Sequence, residues 1–224
     1  MSGQPLDEAR KCALTVIDRL EPRDRVAVFA FDDVVECFAP PTSVSERAQL
    51  HAAVARIVEG GSTDLHGGWR AGADALAALA DEPGLRRVVL LSDGCANAGE
   101  TDLEAITGQC RDLARAGVTT STYGLGHGFN ELLMQAMARA GRGNAYYGET
   151  ALDLADPFNE EFDLLASLCV RQPVLKVSAP SALAVRVRND YEAIAGDVPA
   201  WRLPDLAFDA EAWAIVEVDL PALD

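Results

Sequence analysis

Cationic charge is what this chain has least of. Lys and Arg number 19 against 35 Asp and Glu, a formal net charge of −16. Nucleic-acid binding needs clustered Lys and Arg to displace counterions from phosphate, so that class of partner is excluded, and an anionic membrane surface with it. Long apolar runs are missing as well: none approaches the roughly 20 residues of a membrane span, so membrane insertion is not expected. Met1–Arg10 is polar and enters a helix directly, without the apolar core of a signal peptide, and a cytoplasmic location is expected. The five cysteines, Cys12, Cys37, Cys95, Cys110 and Cys169, are an odd set with no Cys-x-x-Cys spacing. That excludes a zinc or disulfide framework and predicts buried free thiols.

Enzyme signatures are absent too. There is no Gly-x-Ser-x-Gly elbow and no phosphate loop ending in Gly-Lys-Ser or Gly-Lys-Thr. Gly124-Leu125-Gly126-His127-Gly128 is superficially similar to a dinucleotide loop, but Phe129 stands where the third glycine belongs. Enzymatic activity is not expected.

What remains is a rhythm of helices and strands. Ala9, Cys12, Ala13, Val16, Ile17 and Leu20 recur at helical spacing, and Pro22 ends that helix. Arg25–Phe31 is an apolar strand. Asp32-Asp33 turns the chain, and Val34–Ala39 returns as an antiparallel edge strand capped by Pro40-Pro41. Ser43 with Glu46, and Thr101 with Glu104, have the spacing of capping boxes. Val88–Ser92 is almost continuously apolar and reads as a strand buried on both faces. Val118–Tyr123 and Ala145–Tyr147 follow as strands. Asp156 and Pro157 suit the N-cap and first position of a helix over Phe158–Val170. This alternation predicts an α/β fold: a doubly wound, mostly parallel sheet with helices on both faces, over residues 1–171.

Beyond Gln172-Pro173 the period becomes two. Leu183, Val185 and Val187 alternate with Ala184, Arg186 and Arg188; Val216 and Val218 alternate with Glu217 and Asp219. Residues 172–224 therefore read as a partial antiparallel β unit, like the start of a β-sandwich.

Two polar clusters interrupt the apolar rhythm: Gly60–Asp64 (GGSTD) and Ser92–Gly94 (SDG). Both fall where chain ends meet at one edge of such a sheet, the edge at which open α/β sheets bind ligands. A hydroxyl and a carboxylate converging there suit a hard divalent cation such as Mg²⁺. Thr63 and Asp93 are the candidate metal ligands. Asp64 is expected to be a cap or a bracing carboxylate. Ser2 is not expected to replace a ligand, His51, His66 and His127 share no ligand spacing, and Cys95 has no base beside it. Glu160-Glu161 reads as a solvated helix face.

These segments together resemble the bacterial von Willebrand factor type A domain family. Gly60–Leu65 (GGSTDL) is similar to its Thr-bearing loop, Leu90–Gly99 (LLSDGCANAG) to its Asp-bearing loop, and Arg25–Asp32 and Val118–Gly126 to two of its strands. The resemblance implies a metal ion-dependent adhesion site to which Thr63 and Asp93 contribute. A third loop, Asp-x-Ser-x-Ser, has no counterpart. The register places that loop and the first, central strand just upstream of Met1, so the chain is expected to be truncated before them. Strands that would flank the missing one should stand about 10 Å apart rather than about 4.8 Å unless the sheet closes up. The implied function is protein binding, with Mg²⁺ presenting an open position to an Asp or Glu of a protein partner. In this chain Mg²⁺ binding is expected to be weak or absent. The alternatives are a metal-free structural or assembly module and an enzyme on a doubly wound sheet.

Overall fold

The structure, a computed structural model, describes residues 3–94, 96–126, 128–170, 173–180, 183–189 and 191–219. The expectations placed on Ser2, Cys95 and His127 fall outside them. The chain divides into two compact units, Met1–Glu161 and Phe162–Asp224.

In the first unit, α1 (Gln4–Arg19) buries Leu6, Cys12 and Ile17. An antiparallel hairpin follows, β1 (Arg25–Phe31) and β2 (Val35–Ser43). The strand β2 does not stop at Pro40-Pro41 as the sequence suggests. Ala39 pairs with Val28 and Thr42 with Val26, so the two prolines sit in a bulge, where a missing N–H breaks no ladder bond. Ser43 caps a single 3-10 turn by accepting from Ser45 N, and α2 (Arg47–Ala55) begins only after it. Ser43 and Glu46 are therefore no capping box. Ile17, Ala39, Val44, Leu50, Ala53 and Val54 form the apolar cluster that binds α1 and α2 to the hairpin.

Three parallel strands come next, β3 (Arg86–Ser92), β4 (Val118–Leu125) and β5 (Ala145–Gly148), in that spatial order. The helices α3 (Leu65–Ala77), α4 (Leu103–Arg115) and α5 (Glu131–Ala140) cover one face of this sheet. Leu65, Trp69, Ile106, Cys110, Leu133 and Met137 pack there on Val88, Leu90 and Val118. Helix α6 (Ala151–Ser167) covers the other face, with the Phe158 ring stacked on Tyr123 at 4.1 Å. Helices thus lie on both faces of a parallel sheet, as the alternation predicts.

Among the described residues, β1–β2 and β3–β4–β5 are separate sheets with no strand hydrogen-bonded between them. Helix α3 bridges them: Phe31 of β1 belongs to the same cluster as Leu65, Trp69 and Leu90. Gly68 makes this approach possible, since a Cβ there would stand 2.2 Å from the Phe31 ring. With one strand neighbour, β3 is fully buried only at Val88, Leu90 and Ser92, while Val89 and Leu91 are half-buried. The strand buried on both faces is β4, the middle one of the three.

Two helix starts differ from expectation. Asp102, not Thr101, caps α4 through its carboxylate and Ala105 N at 2.8 Å, and Glu100 takes the amides of Thr101 and Asp102. Helix α6 begins at Ala151, with Pro157 inside it, rather than at Asp156-Pro157. Its start is set by Thr150 and Asp153. The Asp153 carboxylate accepts from Thr150 N, and Asp153 N donates to the Thr150 hydroxyl, a reciprocal box.

The second unit is antiparallel. It contains β6 (Leu168–Val170), β7 (Val174–Lys176), β8 (Ala184–Val187), β9 (Glu192–Ile194), β10 (Ala200–Arg202), β11 (Leu206–Ala207) and β12 (Val216–Asp219). They pair as β7–β10–β9, β11–β6 and β12–β8. The period-two stretches pair in register, Val216 with Val187 and Val218 with Val185, which puts valines on one face and the Arg186–Asp219 and Arg188–Glu217 ion pairs on the other.

Candidate functional site

Parallel strands bring their carboxyl ends to one edge. Ser92, Leu125 and Gly148 close β3, β4 and β5 there, and the loop carrying Asp93 leaves from it. The loop before α3, carrying Thr63, comes to the same place. Thr63 N donates to Asn97 Oδ1 at 2.8 Å, and Thr63 O accepts from Asn97 N at 3.1 Å and Ala98 N at 3.3 Å. A Cβ placed on Gly94 would lie 3.5 Å from Thr63 Oγ1, so the hydroxyl stands directly beside the Asp93-Gly94 peptide. The two predicted ligand loops are brought together, and both predicted residues are partly exposed.

Asp64 is the N-cap of α3, with Oδ1 accepting from Gly67 N at 2.8 Å. Its own N–H donates to Asp32 O at 2.7 Å, which ties the loop to the end of β1. Gly99 lies against the Asp64 carboxylate in a left-handed conformation, φ 67°. Asp32 accepts from Val34 N, and that bond, followed by one from Asp33, holds its carboxyl below the usual range. The β4–α5 loop also touches the site, since a Cβ on Gly128 would stand 2.9 Å from Asp93 O.

His66 is bonded to Gln109 at 3.0 Å and His51 to Asp18 at 2.9 Å. Of the four cysteines described, Cys12 and Cys110 are buried free thiols, whereas Cys37 and Cys169 are exposed, contrary to the expectation that all are buried. Glu160 is exposed, but Glu161 is fully buried, which corrects its reading as part of a solvated face.

Sequence reasoning missed Asn97, Asp32 and Gly99 at this site. The sole local sign of Asn97 is its place in the turn-rich run after Asp93. Its partner lies 34 residues away. The two loops that meet carry a hydroxyl and a carboxylate, both hard oxygens of the kind a Mg²⁺-like cation takes as part of its ligand set. Among the described residues, no three His, Cys, Asp or Glu side chains form a metal-binding group.

Comparison with known proteins adds the following. The model of the von Willebrand factor type A domain matches residues 1–160. The uncharacterized protein sll0103 of Synechocystis is 28% identical over 244 residues, covering 100% of this chain and 55% of that protein. The von Willebrand factor type A structure from Catenulispora acidiphila superposes with a TM-score of 0.72 at 18% identity, over 96% of this chain and 54% of that one. Proximal thread matrix protein 1 from the mussel byssus, with a zinc-occupied MIDAS motif, gives 0.57 at 17% identity, over 75% and 46%. At these identities the structures are alike in fold alone. The chain spans about half the length of these matched proteins.

Proposed function

The chain belongs to the von Willebrand factor type A domain family, and on that premise we propose that it is a non-enzymatic protein-binding module in which Thr63 and Asp93 are oxygen donors of a metal ion-dependent adhesion site. The observation carrying this reading is the docking of the Thr63 loop on the loop of Asp93. It brings a loop with a hydroxyl and a loop with a carboxylate to the carboxyl edge of a parallel sheet, the usual ligand edge of open α/β sheets. When bound, Mg²⁺ supplies an open coordination position for a carboxylate of a partner protein.

The two residues have different tasks. Asp93 offsets one unit of the cation's charge, while Thr63 adds a neutral oxygen. These two donors alone leave the cation one unit of positive charge with which to attract an acidic side chain, although the chain as a whole carries −16. The sequence contains no Asp-x-Ser-x-Ser motif. One carboxylate and one hydroxyl correspond to millimolar rather than micromolar affinity.

A Mg²⁺ titration followed by two-dimensional NMR tests this. The amides of Thr63 and Asp93 shift with a millimolar midpoint, and Asp93→Ala abolishes the shifts. Silence throughout the millimolar range overturns the cation's role and favours a metal-free assembly module, whose partner binding EDTA leaves unchanged. Micromolar binding abolished by Asp93→Ala overturns the two-donor account.

A further inference from the structure

Thr63 lies in a loop, where no helix or strand ladder answers its backbone groups. Both are answered by one residue. Asn97 N donates to Thr63 O at 3.1 Å, and Asn97 Oδ1 accepts from Thr63 N at 2.8 Å. The two bonds close a ring like that of an antiparallel pair, with a side-chain carbonyl standing in for a backbone one. Ala98 N adds a third bond to Thr63 O at 3.3 Å. The following peptide is held from the other side, by Asp64 N on Asp32 O at 2.7 Å. The peptide planes on both sides of Thr63 are thereby fixed. Its hydroxyl direction is left to χ1 alone, which has few wells for a β-branched side chain.

We propose that Asn97 is the positioning residue of the metal site: it clamps Thr63 to the loop of Asp93 and so sets the separation of the two donors. This rests on the metal-site reading above. The clamp joins donor loop to donor loop, four residues beyond Asp93, instead of joining either to the sheet. Any shift of the Asp93 loop carries Thr63 with it. The Thr63 N to Asn97 bond is solvent-exposed, so it adds little to global stability while governing local geometry. An acceptor at the same reach is what the position requires. Asn97→Asp keeps it and Asn97→Ala does not.

The test compares the wild-type chain, Asn97→Ala and Asn97→Asp by NMR, with Mn²⁺ as the probe cation. Three readouts are followed: paramagnetic broadening at Thr63 and Asp93, hydrogen exchange of the Thr63 amide, and Tm. In Asn97→Ala the Thr63 amide exchanges about five- to tenfold faster, the worth of one ordinary hydrogen bond. The Mn²⁺ concentration for half-broadening rises by a similar factor, and Tm stays near that of the wild type. Asn97→Asp retains both the protection and the Mn²⁺ response. Wild-type broadening that Asn97→Ala leaves unchanged overturns the positioning role and spares the metal site. Loss in both variants overturns the acceptor role of residue 97. Absence of broadening in the wild type overturns the metal site and the inference together.

Discussion

Arg87 of β3 and Glu161 of α6 form an ion pair whose carboxylate is wholly shielded from solvent. Glu161 Oε1 accepts from Arg87 and from the Ser121 hydroxyl at 2.6 Å; Oε2 accepts from Asn144 Nδ2 at 2.6 Å and the Tyr146 hydroxyl at 3.1 Å. One carboxylate thus ties α6 to all three parallel strands.

Removing that carboxylate leaves the Arg87 guanidinium with the Ser121 hydroxyl but no counter-charge, and takes the acceptor from three further donors. Loss of one partner from a buried pair costs about 3–5 kcal/mol. At roughly 2–4 °C per kcal/mol for a chain of this size, Glu161→Ala lowers Tm by about 10 °C. The double replacement Arg87→Met with Glu161→Met loses less, because no charge is stranded. Scanning calorimetry checks both, and a double variant less stable than Glu161→Ala contradicts the account.

Gly99 meets two constraints at once. Its φ is 67°, and an added Cβ would stand 2.1 Å from Asp64 Oδ1. Gly99→Ala therefore costs about 1–2 kcal/mol in backbone strain and pushes the Asp64 carboxylate off the Gly67 amide, worth about another 1 kcal/mol as a helix cap. Urea unfolding reports the sum, and hydrogen exchange at Gly67 reports the lost cap. Unchanged values in both measurements refute this role of Gly99.

Trp69 is buried, and its indole Nε1 donates to Thr120 Oγ1 at 3.0 Å. Thr120→Val keeps the shape and removes the acceptor, a loss of about 1–3 kcal/mol. Thr120→Ser retains most of the stability by keeping the hydroxyl. Equal denaturation midpoints for the two variants argue against this hydrogen bond's contribution.

Burial raises the thiols of Cys12 and Cys110 from 9.0 to about 12, and the Tyr146 hydroxyl from 10.0 to about 12. Glu8 adds to the effect on Cys12 and Glu161 to that on Tyr146. The unfolded chain gives up these protons first. Their contribution to stability is therefore complete below about pH 9 and is lost as pH rises toward 12. Tm measured against pH should be level on the neutral side and fall over that window. Iodoacetamide with peptide mapping should alkylate Cys37 and Cys169 in the folded chain, and Cys12 and Cys110 only in denaturant. Fast labelling of Cys12 in the folded chain is the contrary result.

Much of the fold was legible because its signals are local. The apolar run ending at Ser92 became β3, the Asp32-Asp33 turn became a hairpin, and the period-two valines became β8 and β12. For helix α6 the sequence points to a start at Pro157, a residue favoured in the first turn. The Thr150–Asp153 box, directly before the buried Leu154 and followed by the buried Phe158, sets the start earlier. The charge of Glu161 points to a solvated face. Yet Leu154, Phe158 and Glu161 stand at i, i+4 and i+7, one face of one helix. That spacing carried the information that the carboxylate points inward.

The sequence by itself determined the alternation of elements, the two polar loops of Thr63 and Asp93 and the family to which they belong, since periodicity, turn residues and short motifs depend on near neighbours. Only the tertiary structure decided which distant groups answer one another: Asn97 on Thr63, Asp32 on Asp64, and Arg87, Ser121, Asn144 and Tyr146 on Glu161. A hydrogen bond needs its partner within about 3 Å, and proximity across tens of residues is set by the packing of helices on a sheet, which no local pattern encodes.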